Sequence, residues 1–581
     1  MDIQKSKLVT KKFLSVVIIF TFLMTLIPSN FIVNAATNTS SSKSSQTVTS
    51  NNNIFTLNND TLTIKSGSYV IDLQACSSEI LKVNYKPNGQ ESEDSLVLDP
   101  DKIWESGNIV SANLNSNPIV IKTSKMIVKV NKDDLSISVY NSSNGLLVKQ
   151  STFPSEKTLT LNHNSGQNFY GISAEGNTNM ADTTLRTGSK NVTAGSQGHG
   201  GGPFTWTTSG YGILVDSDGG SIDIQDTSIS YRGISKVDTE YYILVGNPTE
   251  ILQAQAKVSG TSPMFPKWAT GFTNTQWGWP SDQGTAEQQL KQVIDTYRAK
   301  EIPIDNFCLD FDWKLWGTGD DYGEFKWNYH NFPSAPSGQL KSYMDAKGLK
   351  LTGIVKPRLF TGTQEAADMD ANGWWYPRTG VIEDYCAKKP VKQVDFSKEG
   401  LRKWWWQQSQ EAFDLGLVGF WIDEVDIDNG FQNFDGLNMQ RAIYEGQTAY
   451  TSKQRVWSIN RNYYTGAQRY AYGLWTGDIQ TGFSSMKYHK DKLIGSINLG
   501  QAKWGMDTGG FIGTPDSENY TRWIQFSAFT PIFRVHGQDI TQGNKVRYPW
   551  AYGEKAEAAA KNVMQLRYKL IPYIYKYDNQ A

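Results

Sequence analysis

Short apolar runs that each end at a charged residue constrain the fold of this chain more than any other feature. The runs and the residues that end them are 306–309 with Asp310, 351–355 with Lys356, and 417–422 with Asp423. Stretches with helical spacing of apolar residues, such as 287–298, lie between them. Alternating strands and helices are typical of a parallel barrel, whose chemistry lies at the carboxyl ends of the strands. We therefore predict an α/β fold with a (β/α)8 TIM barrel over residues 263–581.

The part of the chain before residue 263 has a different pattern. Apolar stretches broken by turn residues, such as 62–65, 126–130 and 211–215, occur from Ile54 to about Gly260. This pattern is typical of an all-β region, and we predict an N-terminal β-sandwich over residues 54–262. The sequence contains no internal repeat of the kind that indicates a solenoid or a propeller.

The first residues have the features of an export signal. Lysines precede an apolar run over residues 13–27, and small residues around Ala35 suit cleavage by a signal peptidase. The run is short for a membrane-spanning helix, so an uncleaved anchor is the less favoured alternative. We expect residues 1–36 to be a signal peptide and the mature protein to be secreted without membrane association. Residues 37–53 are rich in Ser, Thr and Asn, and we expect a flexible segment without a fold.

Charge and metal-ligand content argue against several classes of protein. The 56 Lys and Arg residues nearly balance the 57 Asp and Glu residues, which disfavours a nucleic-acid partner. The three cysteines are widely spaced and the five histidines are not within metal-ligand spacing of each other, so we expect no metal and no cofactor. The chain is rich in aromatic residues, with 19 Trp, 28 Tyr and 25 Phe, and such side chains offer stacking surfaces for sugars.

Carboxylates beside aromatic residues recur at the predicted strand ends. Asp423 follows Trp421, Asp478 follows Trp475, and Asp310 stands next to a phenylalanine. For any one of these carboxylates, an ion pair or a helix cap is the more common role. Cleavage of a glycosidic bond, however, requires one carboxylate at the anomeric carbon and another at the leaving oxygen. Three such strand ends therefore predict an enzyme that acts on an oligosaccharide.

A series of motifs runs from about Asn168 to the C-terminus. The motifs are Phe169-Tyr170-Gly171-Ile172, Pro266-Lys267-Trp268-Ala269-Thr270-Gly271, Ile302-Pro303-Ile304-Asp305, Trp421-Ile422-Asp423, Asn460-Arg461, Trp475-Thr476-Gly477-Asp478, Asp507-Thr508-Gly509-Gly510-Phe511 and Phe533-Arg534-Val535-His536. In these residues and in their order the chain resembles glycoside hydrolase family 31, the retaining α-glucosidase and α-xylosidase family. The resemblance implies the double-displacement mechanism of that family.

The resemblance also implies roles for individual residues. Asp423 is similar to the family's nucleophile, and Asp478 is similar to its general acid/base. The expected substrate-binding residues are Asp310, Arg461 and His536 as polar contacts, Trp421, Trp475 and Phe511 as apolar walls, and Arg534 and Asp507, of which Arg534 could orient the site by pairing with a carboxylate. Without the resemblance, Arg461 could equally be an ion-pair partner, and His536 and the aromatic residues would more often belong to a core.

The chain departs from the family pattern in two places. Many members have Asp-Met-Asn-Glu where this chain has Asp423-Glu424-Val425-Asp426, which makes Glu424 and Asp426 rival candidates for the nucleophile. Family members normally continue into C-terminal β-domains after the barrel. We expect this chain to lack those domains and to be truncated near the end of the barrel.

The substrate is less well defined than the chemistry. The segment 310–325 resembles secreted bacterial α-glucosidases and α-glucosyltransferases, and residues 374–376 are candidate aromatic platforms for an acceptor. Residues 404–406 are a second candidate, although helix packing is the favoured interpretation there. We expect hydrolysis or transfer of non-reducing terminal α-linked glucose. The alternatives are an α-xylosidase, an enzyme for α-galacto-configured or N-acetylgalactosaminide sugars, and a non-catalytic carbohydrate-binding protein. The sequence does not predict the oligomeric state.

Overall fold

A computed structural model describes residues 45–154, 157–174, 184–185, 187–315 and 323–580. The predicted signal peptide, residues 1–36, and the beginning of the predicted flexible segment lie outside the described residues. No helix within these ranges has both the length and the apolar character that crossing a membrane requires.

Two antiparallel sheets form the N-terminal region and share one hydrophobic core. The first sheet has the order β1-β2-β3-β4-β5-β19-β16-β15-β12-β13, and the second has the order β14-β17-β18-β11-β10-β9-β8-β7-β6. The strands are β1 Gln46–Ser50, β2 Asn53–Asn58, β3 Thr61–Ser66, β4 Tyr69–Ala75, β5 Ile80–Pro87, β6 Ser111–Asn113, β7 Ile119–Lys122, β8 Met126–Val130, β9 Ile137–Asn141, β10 Leu146–Gln150, β11 Thr158–Asn162, β12 Phe169–Ser173, β13 Thr184–Leu185, β14 Gly188–Asn191, β15 His199–Thr207, β16 Tyr211–Val215, β17 Ser221–Ile224, β18 Ser228–Arg232 and β19 Thr239–Val245. The predicted N-terminal β domain is confirmed.

Strand β1 corrects the expectation that the chain has no fold before residue 54. β1 pairs with β2 in an antiparallel hairpin, with Gln46 opposite Leu57 and Ser50 opposite Asn53. Asn51 and Asn52 form the turn with φ values of 50° and 62°, the left-handed conformation that two-residue hairpin turns require. The polar composition was misleading because an edge strand needs little apolar surface. Alternating Thr and Val residues and the Asn-Asn pair were the signals of this hairpin.

Eight parallel strands form the barrel that follows. In order around the barrel, strands one to eight are β20, β21, β22, β26, β27, β29, β30 and β31. The elements from here on are α1 Pro248–Ser259, β20 Phe272–Gln276, α2 Ala286–Ala299, β21 Asn306–Leu309, α3 Gln339–Ala346, β22 Lys350–Val355, β23 Arg358–Phe360, α4 Gln364–Asn372, β24 Ile382–Glu383, β25 Pro390–Gln393, α5 Glu399–Asp414, β26 Leu417–Ile422, α6 Asp435–Tyr450, β27 Ser458–Asn460, β28 Asn462–Tyr464, β29 Tyr472–Trp475, α7 Phe483–Asn498, β30 Trp504–Gly505, α8 Ser517–Ser527, β31 Phe533–Val535 and α9 Glu554–Asp578. The predicted TIM barrel is confirmed.

Backbone hydrogen bonds bridge the gap between strands seven and eight, which do not form a regular pair. The Ile532 amide donates to the Trp504 carbonyl oxygen at 2.9 Å, and the Thr508 amide donates to the Arg534 carbonyl oxygen at 3.1 Å. Eight strands leave an interior just wide enough to be filled by side chains. The functional groups therefore lie in the loops at the carboxyl ends of the strands.

Helix α2 shows how the sequence specifies the outer layer of the barrel. The Thr285 hydroxyl accepts from the Gln288 amide, and the Gln288 side chain accepts from the Thr285 amide, which forms a capping box. Leu290, Ile294 and Tyr297 lie on one face of the helix and are buried against the strands. The helical spacing in residues 287–298 correctly predicted this face.

The N-terminal domain reaches the carboxyl end of the barrel. Strand β28, which follows strand five, pairs in parallel with β15 of the first N-terminal sheet. The loop before β15 lies against strands five and six, and the Gly198 amide donates to the Arg461 carbonyl oxygen at 2.7 Å. Any side chain at residue 198 would collide with the Thr476 backbone, so glycine permits this close approach.

Candidate active site

Asp423 directly follows strand four and lies at the carboxyl end of the barrel. Its Oδ1 atom accepts from the Glu424 amide at 2.9 Å and from the Arg461 guanidinium at 2.8 Å. Its Oδ2 atom lies 2.9 Å from Lys356 Nζ. Burial alone would raise the pKa of this carboxyl, but the charges of Lys356 and Arg461 outweigh burial and lower its pKa well below the usual range. Asp423 is therefore an ionised carboxylate held by two cations.

Asp478 lies beyond the end of strand six and is less enclosed. Its side chain is 35% exposed, and its Oδ2 atom lies 3.8 Å from the Arg461 Nη2 atom. Its amide donates to Gln197 Oε1 of the N-terminal domain at 2.8 Å, which fixes the backbone here. Burial and the negative charge of Asp423 raise the pKa of Asp478 to about 6. This carboxyl can therefore hold a proton at a pH where Asp423 is charged.

Arg461 links these two carboxyls through different nitrogen atoms. Its Nη1 donates to Asp423, its Nη2 faces Asp478, and its Nε lies 3.0 Å from Asp426 Oδ2. The fork of a guanidinium allows one residue to fix several carboxylates at once. Arg461 is an ion-pair partner of these carboxylates and also lines their cavity, and its contact with a substrate stays a prediction.

Asp310 and His536 face each other at the ends of strands two and eight. Asp310 Oδ2 lies 3.2 Å from His536 Nε2, and Asp310 Oδ1 accepts from the Phe311 amide at 2.7 Å. Burial raises the pKa of Asp310 to about 7 and lowers the pKa of His536 to about 3, so the imidazole is uncharged. Neither imidazole nitrogen forms a hydrogen bond with another described residue. Both nitrogens are buried, and Nε2 faces the Asp310 carboxyl.

These residues surround one cavity of about 320 Å³, a volume in the range of small-molecule sites. The lining comprises Trp277, Asp310, Phe311, Ile354, Tyr385, Trp421, Asp423, Glu424, Asn429, Arg461, Asp478, Phe511 and His536. The Trp421 and His536 rings meet edge to face at 5.0 Å, and the Phe511 and His536 ring centroids are also 5.0 Å apart. Carboxylates on one side and aromatic rings on another suit a sugar, which has both hydroxyl groups and apolar faces.

Three residues predicted to bind substrate lie behind the cavity wall and do not line it. Trp475 packs edge to face on Trp421 at 5.3 Å. Arg534 is fully buried, stacks under Trp421 at 4.3 Å and forms an ion pair with Asp507. Arg534 pairs with a carboxylate as expected, whereas Trp475, Arg534 and Asp507 do not line the cavity, and their contact with a substrate stays a prediction.

Lys356, the charged residue at the end of strand three, had no predicted role. Lys356 is fully buried and forms ion pairs with both Asp423 and Glu424. It also donates to the Tyr385 hydroxyl at 2.7 Å. A charged residue after an apolar strand was the available signal. Its partner, however, comes from the neighbouring strand, and a linear sequence does not give that register.

The two rival nucleophiles are engaged elsewhere. Glu424 has a left-handed φ of 61° and forms ion pairs with Lys356 and Arg358. Asp426 is fully buried, accepts from the Asn429 side chain at 2.8 Å and does not line the cavity. Asp423 and Glu424 both line the cavity, but Asp423 pairs with Arg461, which also faces Asp478, whereas Glu424 pairs with Lys356 and Arg358.

The structure does not place residues 374–376, the predicted acceptor platform, in the lining of the cavity that holds Asp423 and Asp478. Tyr376 is buried and donates to Asp435 Oδ2 at 2.6 Å, while Trp375 Nε1 donates to Asp370. Trp374 packs against the barrel core, and none of the three lines the catalytic cavity. In the described ranges, no three His, Cys, Asp or Glu side chains converge as a metal ion would require.

Comparison with known proteins agrees with this geometry. The family description "Glycosyl hydrolases family 31 TIM-barrel domain" matches residues 262–577. The chain therefore belongs to glycoside hydrolase family 31. It is 38% identical over 570 residues to a 1,6-alpha-glucosyltransferase of Sporosarcina globispora, covering 90% of this chain and 43% of that protein. It is 27% identical to an alpha-xylosidase of Saccharolobus solfataricus, covering 88% of this chain and 72% of the relative.

Solved structures of the same family share the fold. A family 31 alpha-xylosidase from a soil metagenome superposes with a TM-score of 0.76 at 19% identity. The match covers 90% of this chain and 85% of the xylosidase chain. A family 31 dextranase of Flavobacterium johnsoniae, solved with isomaltotriose, has a TM-score of 0.76 at 22% identity. The match covers 91% of this chain and 69% of the dextranase chain. The chain thus spans less than half of the glucosyltransferase relative, but most of a family 31 structure.

Proposed function

We propose that the chain is a retaining α-glucosidase or α-glucosyltransferase that takes non-reducing terminal α-linked glucose from oligosaccharides. The observation that carries this proposal is the contrast between Asp423 and Asp478 in one cavity. Two cations keep the first carboxyl ionised, while burial and the first carboxylate keep a proton on the second up to about pH 6. This division into nucleophile and acid is what a double displacement needs.

The reaction follows from these protonation states. Asp423 attacks C1 of the sugar and forms an ester bond while the bond from C1 to the leaving oxygen breaks. Asp478 gives its proton to that oxygen and becomes a carboxylate. It then takes a proton from water or from a sugar hydroxyl, whose oxygen attacks C1 and releases Asp423. The two inversions leave the α configuration unchanged.

The polar groups around the ring support glucose as the sugar. The neutral His536 imidazole and the Asp310 carboxyl stand at the ends of strands eight and two, across the barrel from Asp478, where distal hydroxyls of the sugar would lie. The name of the glucosyltransferase relative supports the same choice. An α-xylosidase is the second candidate, because a relative of that name covers most of this chain. A sugar-binding protein without activity is disfavoured by the presence of both carboxyl groups.

We also infer that the protein is exported. The lysine-rich start, the apolar run over residues 13–27 and the small residues near Ala35 support this inference. Expression of the whole sequence in a secreting host, followed by N-terminal sequencing, tests it. A mature terminus at or near Thr37 is expected, whereas an intact Met1 on a cell-associated product would contradict export.

Release of p-nitrophenol from α-glucoside, α-xyloside and α-galactoside substrates tests the activity. We expect the α-glucoside to be the preferred substrate, and Asp423→Ala to abolish release while sugar binding persists. Asp101→Asn, which changes an exposed carboxylate in the N-terminal domain, is the matched control. Product analysis on maltose and isomaltose then separates hydrolysis from transfer. Unchanged turnover in Asp423→Ala would contradict the proposal.

A further inference from the structure

A second cavity adjoins the catalytic cavity. Its volume is about 560 Å³, compared with about 320 Å³ for the catalytic cavity. Three aromatic side chains, Trp277, Phe311 and Tyr385, line both cavities. The Trp277 ring is parallel to Phe511 at 6.2 Å and packs edge to face on Phe311 at 6.0 Å. A ligand that fills the catalytic cavity can therefore extend past these rings into the second cavity.

The second cavity lies across the barrel from the general acid. Its other residues come mainly from the loops after strand two, with Asp312, Asn328 and Asn331, and after strand eight, with Gln538, Gln542 and Asn544. Asp478 follows strand six and lines the catalytic cavity but not the second one. The leaving group must lie beside Asp478, because this residue protonates the leaving oxygen. The second cavity therefore faces the opposite, non-reducing end of the sugar.

The order of the lining residues along the chain supports this orientation of the second cavity. Asp310 lines the catalytic cavity, Phe311 lines both cavities, and Asp312 lines the second. After strand eight, His536 lines the catalytic cavity and Gln538 lines the second. The two cavities thus join beside Asp310 and His536. These are the residues that we propose contact the distal hydroxyls of the sugar.

The lining of the second cavity is rich in amides and includes two carboxyl groups, those of Asp312 and Asp539. Asn328 is buried, and its Oδ1 accepts from the His330 amide at 3.1 Å. Gln538 Oε1 accepts from the Gly513 amide at 3.1 Å. These contacts orient both side chains, and their amide nitrogens donate to no other residue in the described ranges. Fixed amide donors beside an aromatic ring suit a sugar with hydroxyl groups.

We propose that the second cavity binds the next sugar unit on the non-reducing side of the scissile bond, so that the enzyme also cleaves and transfers α-linked disaccharide units. This inference rests on the proposed function. Asp423 forms its ester with C1 of the inner sugar, the outer sugar stays attached, and the proton passes from Asp478 to the leaving oxygen. Water or an acceptor hydroxyl then attacks C1, returns a proton to Asp478 and releases the intact disaccharide unit.

The first products from chromogenic glycosides test this inference. The probes are p-nitrophenyl α-glucoside, α-maltoside and α-isomaltoside, with initial products resolved by chromatography. We expect p-nitrophenol and intact disaccharide as first products from at least one disaccharide glycoside. Glucose and p-nitrophenyl α-glucoside as the only first products from both would overturn the inference while leaving the proposed function intact. No release from any probe would overturn the proposed function and this inference together.

Variants of the second cavity provide an independent measurement. We expect Gln538→Ala and Gln542→Ala each to lower the ratio of kcat/KM for the preferred disaccharide glycoside to that for p-nitrophenyl α-glucoside about fivefold, the effect of one lost hydrogen bond. Gln407→Ala, on the exposed face of α5, is the matched control and should leave the ratio unchanged. An unchanged ratio in both cavity variants would overturn the inference. A change only in the ratio of transfer to hydrolysis would also overturn the inference, because it would indicate that the second cavity binds the acceptor.

Discussion

Lys356 Nζ lies 2.9 Å from Asp423 Oδ2, and the lysine side chain has no exposed surface. A buried ammonium beside a carboxylate stabilises the charged form of that carboxylate. The same ammonium contacts Glu424, so one lysine connects the proposed nucleophile to a second buried acid. The charge of Asp423 therefore depends on a residue from strand three as well as on Arg461 from strand five.

Replacing Lys356 with methionine should impair the proposed nucleophile. Without the ammonium, the pKa of Asp423 rises, and activity is lost at a higher pH as the carboxylate takes up a proton. We expect kcat/KM to fall about 100-fold at neutral pH and the acidic limb of its pH profile to move upward. Lys350→Met, at the exposed start of the same strand, is the control. An unmoved acidic limb in a folded Lys356→Met variant would contradict this role.

The alkaline limb of the pH profile should reflect the ionisation of Asp478. Because the first step needs a proton on this carboxyl, kcat/KM should decline as the pH rises through about 6. Asp478→Asn should remove that limb and slow turnover by about 10²- to 10⁴-fold. Added azide, a nucleophile that needs no general base, should restore turnover and give an α-glucosyl azide. A β-configured azide would argue against a retaining mechanism.

A hydrogen bond from the N-terminal domain should position Asp478 for catalysis. Gln197 Oε1 accepts from the Asp478 amide, and Gln197 itself adopts a left-handed φ of 49°. We expect Gln197→Ala to lower kcat about tenfold without lowering the thermal midpoint by more than a few degrees. Gln225→Ala, an exposed residue of the same domain, provides the comparison. Wild-type kcat in Gln197→Ala would show that the loop does not position the acid.

Arg567 should be important for stability. Its buried guanidinium donates to the carbonyl oxygens of Thr270, Ala528, Thr530 and Pro531, which joins helix α9 to the barrel. Burial lowers its pKa to about 10. Arg567→Met leaves these carbonyl groups without a donor and should reduce the free energy of unfolding by about 3–5 kcal/mol. Urea denaturation measures this change. Lys569→Met, on the exposed face of α9, is the control and should lower the free energy of unfolding by less than about 0.5 kcal/mol.

The sequence predicted the barrel and the carboxylates well, because both depend on local signals. An apolar run that ends in a charged residue identifies a strand and its functional end together, as Asp310 and Asp423 show. Seven of the ten predicted site residues line one cavity. The remaining three, Trp475, Arg534 and Asp507, lie one layer behind it, where Trp475 and Arg534 pack on Trp421 and Asp507 pairs with Arg534.

Contacts between distant segments could not be predicted in the same way. The pairing of Lys356 with Asp423 depends on the register of strands three and four, and the contact of Gln197 with Asp478 joins two domains. The hairpin of β1 was missed because composition was given more weight than the alternation of Thr and Val. Short-range patterns give the elements, whereas the partners of a side chain depend on how those elements pack.

Identification of the residue that forms the covalent intermediate is the sharpest test of Asp423 as the nucleophile. The protein would be treated with a fluorinated α-glucosyl fluoride, whose intermediate hydrolyses slowly, and the labelled peptide sequenced by mass spectrometry. We predict a glucosyl adduct on Asp423 and no adduct in Asp423→Ala. A label on Glu424, on Asp426 or on a peptide without this segment would contradict the account.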